Sequence, residues 1–154
     1  MTTVIALLAL LFPGAAMGAP PQPFVQGSWN TLLAAHRGHP TIVHFWGVTC
    51  GPCLAELPAW GEFAVQRGDV DVVMVDADPA TVAPEDMAAV LTKAGLEKTE
   101  SWRFADSFTE RLEYEIDPNW HGELPYTLLI NADGTAEPVL GAVDFAMLRR
   151  WNER

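Results

Sequence analysis

The chain holds two cysteines, Cys50 and Cys53, and their spacing is the first clue to its chemistry. Thiols separated by one helical turn can close a disulfide and open it again. The stretch Ile42-Val43-His44-Phe45-Trp46 precedes them as a strand, and the residues after them read as a helix. A Cys-x-x-Cys at such a junction puts the first sulfur at a helix N-terminus, where unpaired N–H groups and the helix dipole favour a thiolate. That is the chemistry of thiol–disulfide exchange. The competing use of this spacing is half of a zinc site, which needs two further ligands. No second cysteine pair exists, and the 4 histidines stand at no recognised ligand spacing. A structural staple is a weak explanation too, because a bridge over so short a loop constrains little of the unfolded chain.

The elements that must hold the pair follow from hydrophobic pattern and punctuation. Thr41 to Trp46 is apolar on both faces apart from His44, which predicts a central strand covered on each side. A helix is predicted from about Cys50 to Gln66, with Gly68 past its end and Pro58 removing one internal hydrogen bond. Asp69 to Asp76 is the clearest strand; Pro84 then opens a helix whose first turn carries Glu85 and Asp86 and whose end is marked by Gly95. This alternation implies right-handed crossovers and parallel pairing. Trp102 to Ala105 reads as a short strand, and Asp106 or Ser107 caps a helix reaching about Tyr114. Tyr126 to Ile130, the turn Asn131 to Gly134 and Ala136 to Leu140 form an antiparallel hairpin, followed by a helix from about Asp144 that turns Phe145, Leu148 and Trp151 inward. Ahead of the first central strand, Ser28 is the predicted N-cap of a short helix ending near Gly38, and Pro20 to Pro23 reads as a stiff linker. The fold class is α/β.

In order and spacing, Phe45-Trp46, Cys50-Gly51-Pro52-Cys53, Pro58 and Leu124-Pro125-Tyr126-Thr127 resemble the thioredoxin superfamily, and most closely its exported TlpA/ResA-like thiol–disulfide oxidoreductases. The resemblance runs from roughly Phe24 to Trp151 and implies a thioredoxin fold, a central mixed β-sheet with helices on both faces. It implies that Cys50 attacks and Cys53 resolves the mixed disulfide. It implies a cis bond before Pro125, with Trp46, Thr49, Gly51, Pro52, Leu124 and Pro125 facing the substrate. By itself, a proline before an apolar run is an ordinary strand start. Glu56 matches the glutamate these relatives carry after their second cysteine, where a carboxylate would raise the thiol pKa and tune proton transfer; its plain alternative is a solvated helix residue. His44 departs from the superfamily, standing where thioredoxins place a buried acid beneath the second cysteine. A histidine there is either a packed core residue or a proton carrier. Thr49 departs as well, replacing a tryptophan. Trp120 and His121, ahead of Pro125, offer either a further contact surface or core packing.

Composition narrows the partners. The chain has 154 residues, 49% hydrophobic, and 9 Lys+Arg against 20 Asp+Glu give a formal net charge of −11. That suits one domain from about residue 20 to 154 and argues against nucleic acid, which is held by clustered cations. Residues 1–19 carry no charge, Val4 to Phe12 is apolar, and Ala16-Met17-Gly18 offers a small-x-small cleavage pattern. The expectation is a signal peptide or N-terminal anchor and a periplasmic or otherwise extracytoplasmic, monomeric protein; a buried first helix is argued against by Pro13-Gly14 and the prolines after Ala19. The Gly-Pro between the cysteines is that of thioredoxin, whose potential is about −270 mV. The resemblance therefore implies a reductant of client disulfides, such as those of apocytochrome c or copper-site cysteines, supplied by a membrane thiol reductase. No cofactor or metal is expected. The alternatives are a disulfide oxidase or isomerase, and a Cu(I) metallochaperone binding through both cysteines and His121.

Overall fold

The computed structural model describes residues 19–78 and 83–151, so the expectations for the segment ahead of Ala19 lie outside the described residues. Its elements are β1 (Gln22–Phe24), α1 (Ser28–Ala35), β2 (Thr41–Trp46), α2 (Gly51–Gln66), β3 (Asp71–Asp76), α3 (Pro84–Lys93), β4 (Glu100–Phe104), α4 (Thr109–Ile116), β5 (Tyr126–Ile130), β6 (Ala136–Leu140) and α5 (Phe145–Arg150). They form one six-stranded sheet in the order β1-β4-β3-β2-β5-β6. β2 lies parallel to β3, from Thr41↔Asp71 to Trp46↔Asp76, and antiparallel to β5, from Thr41↔Ile130 to Phe45↔Tyr126. β4 extends the parallel half, and β6 extends the antiparallel half.

Because side chains alternate along a strand, β2 sends Val43 and Phe45 to one face and Ile42, His44 and Trp46 to the other. The first face packs against Trp29 and Leu32 of α1 and Leu112 and Ile116 of α4. The second packs against Leu57, Trp60 and Phe63 of α2, Met87 and Leu91 of α3, and Leu148 of α5. All six residues of β2 are buried, as expected of a strand covered on both sides. On α2, Gly61 lets the helix close on α3: a Cβ there would lie 1.8 Å from the Ala94 carbonyl oxygen. Among the described residues no helix is long and apolar enough to cross a membrane.

The structure corrects the entry of the chain into the fold. Pro20 to Pro23 was expected as a linker, but Gln22–Phe24 form an edge strand parallel to β4, continued by the Ala105 N–H donating to the Phe24 carbonyl at 2.9 Å. Proline is tolerated in an edge strand, and the fully buried Phe24 anchors it. Ser28 is not the N-cap of α1. Gly27, at φ 85°, takes that place, and the Ser28 hydroxyl accepts from the Val25 N–H at 3.0 Å. The α4 helix starts at Thr109 rather than Asp106 or Ser107, because the Asp106 carboxylate closes a turn by accepting the Phe108 N–H.

Candidate active site

Cys50 is the N-cap of α2, in an extended conformation, and its N–H closes a turn onto the Gly47 carbonyl at 3.1 Å. Its sulfur accepts the Cys53 N–H at 3.2 Å, one of the donors a helix start leaves without a backbone partner. Pro52 lies in the first turn, where its missing N–H costs nothing. Cys50 and Cys53 are joined by a disulfide with their Cα atoms 5.2 Å apart. Cys50 is partly exposed and Cys53 is fully buried. In the dithiol form the donor aimed at Cys50 favours its thiolate, while Cys53 lacks access to a client.

Below the pair, β2 and α2 bring His44 and Glu56 together. The His44 Nε2 lies 3.2 Å from Glu56 Oε1, without the alignment of a hydrogen bond, and His44 Nδ1 is 2.9 Å from the Thr127 hydroxyl. Glu56 is held on both oxygens: Oε1 accepts from the Trp60 indole at 3.3 Å and Oε2 from the Val143 N–H at 3.1 Å. Both side chains are buried. Burial holds the His44 imidazole neutral, its pKa lowered to about 3, and pushes the Glu56 carboxyl up against the opposing hydrogen bonds from Val143 and Trp60. A neutral ring beside a carboxyl raised by burial forms a pair one turn along the helix from Cys53 that can exchange a proton with it. Glu56 is therefore not the solvated helix residue of the plain alternative.

The Leu124–Pro125 bond is cis, Pro125 is buried, and its carbonyl accepts the Gly141 N–H at 2.8 Å. Leu124 is half-buried and packs, like Cys50, against the cluster that contains Cys53. Thr49, Gly51 and Pro52 are exposed around Cys50. Trp46 is different. Expected on the substrate side, it is fully buried on the α2 face, because β2 is covered on both sides to its last residue. Trp120 is also core, stacked on Tyr126 at 4.7 Å, and only the exposed His121 is left of that suggested contact surface. Among the described residues no group of three or more His, Cys, Asp or Glu is placed to hold a metal ion.

Two residues of the site were not singled out from the sequence. Thr127 faces His44 directly across the β2–β5 ladder, a pairing between strands far apart in the chain. Asp78, two residues beyond β3 and buried, points its carboxylate at the loop entering Cys50: Oδ2 accepts the Val48 N–H and, at 3.3 Å, the Thr49 N–H, and Oδ1 accepts the Thr49 hydroxyl. No local pattern announces it. Behind it, the Asp78 N–H donates to Asp76 Oδ1 at 3.0 Å, and the fully buried Asp76 lies 3.5 Å from the Arg103 guanidinium. Burial pushes the Asp76 carboxyl up to about 6.

No protein-family profile matches the chain. The sporulation thiol-disulfide oxidoreductase A of Bacillus subtilis (strain 168) is 26% identical over 174 aligned positions, covering 99% of this chain and 96% of that protein. Among solved structures, a secreted Mycobacterium tuberculosis disulfide oxidoreductase homologous to Escherichia coli DsbE superposes with a TM-score of 0.60 at 24% identity, covering 75% of this chain and 81% of that one. The exposed lipoprotein thioredoxin Etrx1 of Streptococcus pneumoniae strain TIGR4 gives 0.61 at 20% identity, covering 79% and 90%. At these identities the structural likenesses establish the fold, and the near full-length relative is itself a thiol–disulfide oxidoreductase. The chain has the thioredoxin fold, carries a Cys50–Cys53 disulfide at the start of α2, and is similar along nearly its whole length to a thiol–disulfide oxidoreductase.

Proposed function

We propose that the protein is exported and reduces disulfides in client proteins. The observation that carries this reading is the charge around Cys50: its thiolate has a helix N–H to lean on, its neighbours Gly51 and Pro52 are uncharged, and the nearby Asp78 carboxylate is bound to its loop. An oxidant of the DsbA kind needs its dithiol form stabilised; an anionic, cation-poor setting works the other way. The Cys50 thiolate attacks one sulfur of the client disulfide, that S–S bond breaks, and the first client thiolate leaves and takes up a proton. Cys53 then loses its proton to the His44–Glu56 pair and attacks the Cys50 sulfur. The second client thiol departs, two electrons have passed to the client, and the Cys50–Cys53 disulfide remains.

Restoring the dithiol takes two electrons from a donor, for which a membrane thiol reductase is the suitable class outside the cytosol. Export is supported by the uncharged, apolar start of the chain and by the secreted and lipoprotein character of two structural relatives. Clients with closely spaced cysteines, as in apocytochrome c or a copper site, suit an exposed attacking sulfur. Equilibration with glutathione or dithiothreitol buffers tests the direction. A potential near that of thioredoxin, about −270 mV, is expected, and one near that of DsbA, about −120 mV, would assign the protein to oxidation instead.

A further inference from the structure

We propose that Asp78 is a positioning residue for the attacking cysteine, its buried carboxylate clasping the Gly47–Thr49 loop so that Cys50 meets a client disulfide in line. The proposal rests on Cys50 being the attacking sulfur. Three donors from two consecutive residues, the N–H groups of Val48 and Thr49 and the Thr49 hydroxyl, converge on this one carboxylate. The clasp is built in from both sides. Ahead of the loop, the Ala77 N–H donates to the Trp46 carbonyl at 2.9 Å, tying the end of β2 to the end of β3. Behind it, Asp76 accepts the Asp78 N–H at 3.0 Å. The loop then turns directly into Cys50 through the Cys50 N–H and the Gly47 carbonyl.

Gly47 shows how closely the loop and the carboxylate approach. A Cβ at that position would lie 2.5 Å from Asp78 Oδ1 and 2.7 Å from its Cγ, so any side chain there displaces the clasp. The φ of Gly47 lies outside the left-handed region, so close approach is what calls for glycine there. The clasp also ties up the Thr49 hydroxyl, leaving the rest of this exposed residue beside Cys50. Thiol–disulfide exchange needs three sulfurs nearly in line, so a displaced loop slows it even when the thiolate is intact. A small alkylating agent approaches freely and has no such demand. This separation distinguishes positioning from thiol acidity.

The test compares, for the reduced full chain, the rate of attack on a disulfide-bonded peptide with the rate of iodoacetamide labelling at the same thiolate fraction. Asp78→Ala is expected to slow exchange about tenfold or more while labelling changes less than about threefold. Asp78→Asn, whose carboxamide oxygen can accept the two N–H groups and whose amide can donate to Thr49, is expected to keep exchange within about threefold of the parent. Gly47→Ala should imitate Asp78→Ala, yet add little in the Asp78→Ala background, because it acts by displacing the same carboxylate. If Asp78→Ala does not fold, Thr49→Val removes only the hydroxyl contact and should still slow exchange about twofold to fivefold. Exchange at the parent rate in Asp78→Ala, an Asp78→Asn variant as slow as Asp78→Ala, or full additivity with Gly47→Ala overturns the clasp. Parent protein that labels but exchanges with no disulfide overturns the oxidoreductase reading, and the clasp with it.

Discussion

Cys50→Ser is expected to eliminate disulfide reduction, a loss on the order of 10³-fold or more, while the protein stays folded. The expectation follows from access and from the helix start: Cys50 is the partly exposed sulfur, and its Sγ receives the Cys53 N–H. A serine hydroxyl at the same cap accepts that N–H equally well but does not ionise at neutral pH, so the cap survives and the nucleophile does not. Losing the bridge costs little stability, because the closed loop spans a separation of only 3 residues. Cys53→Ser should behave differently. Its first attack on a disulfide should proceed, and the reaction should then halt at a mixed disulfide, because the resolving sulfur is gone. Stopped-flow mixing with a disulfide peptide, followed by non-reducing mass analysis, separates the two outcomes. Retention of more than about a tenth of parent activity in Cys50→Ser would transfer the nucleophile's role elsewhere.

The second large effect is expected at the buried pair. Glu56→Gln and His44→Asn should each slow resolution by about tenfold to a hundredfold near neutral pH, the range of a single general acid–base contribution. Because Glu56 Oε1 lies 3.2 Å from His44 Nε2, the double variant should be little slower than either single one. The pH profile identifies the cause. Burial raises the Glu56 carboxyl, so the residue keeps its proton to higher pH than an exposed glutamate and accepts one only after that limb is passed. Glu56→Gln should delete that limb, and a profile unchanged by the substitution would remove Glu56 from proton transfer.

His44 adds a stability signature of the opposite hand. Its folded pKa is lowered from 6.5 to about 3, so its contribution to stability is complete above about 6.5. As pH falls through that window, the unfolded chain takes up a proton that the folded ring refuses, and stability is lost. His44→Asn should flatten this acid-side loss, which urea unfolding between pH 7 and 4 would read. Glu56 works in the other direction, because a raised carboxyl lets the folded state bind the extra proton and its contribution declines as pH rises. Parallel acid-side slopes in parent and His44→Asn would show that His44 is not held neutral by the fold.

Much of this site was legible in the residues, and the reasons differ from one to the next. β2, β5 and β6 have the predicted bounds because their apolar runs are interrupted by strong punctuation, such as Asn131 to Gly134. Helical spacing placed Glu56 on the side of Cys53, and strand alternation governs the face of His44. Their 3.2 Å approach depends on how α2 lies across β2, a tertiary fact with no local pattern. β1 escaped notice because its three residues, with Pro23 among them, look like a linker until β4 supplies a partner. Trp46 was placed on the substrate side by resemblance and Trp120 was left between a contact surface and core packing; both large apolar side chains are buried. Asp78 was invisible because its three donors lie some 30 residues earlier in the chain.

The claim on which all of this depends is that Cys50 is the reactive sulfur and Cys53 the protected one. Limited labelling of the reduced full chain with iodoacetamide, with the modified cysteine located by peptide mass, tests it most directly. The partly exposed, N–H-assisted Cys50 should be modified at least about tenfold faster than Cys53. Equal labelling of the two, or preferential labelling of Cys53, would contradict it.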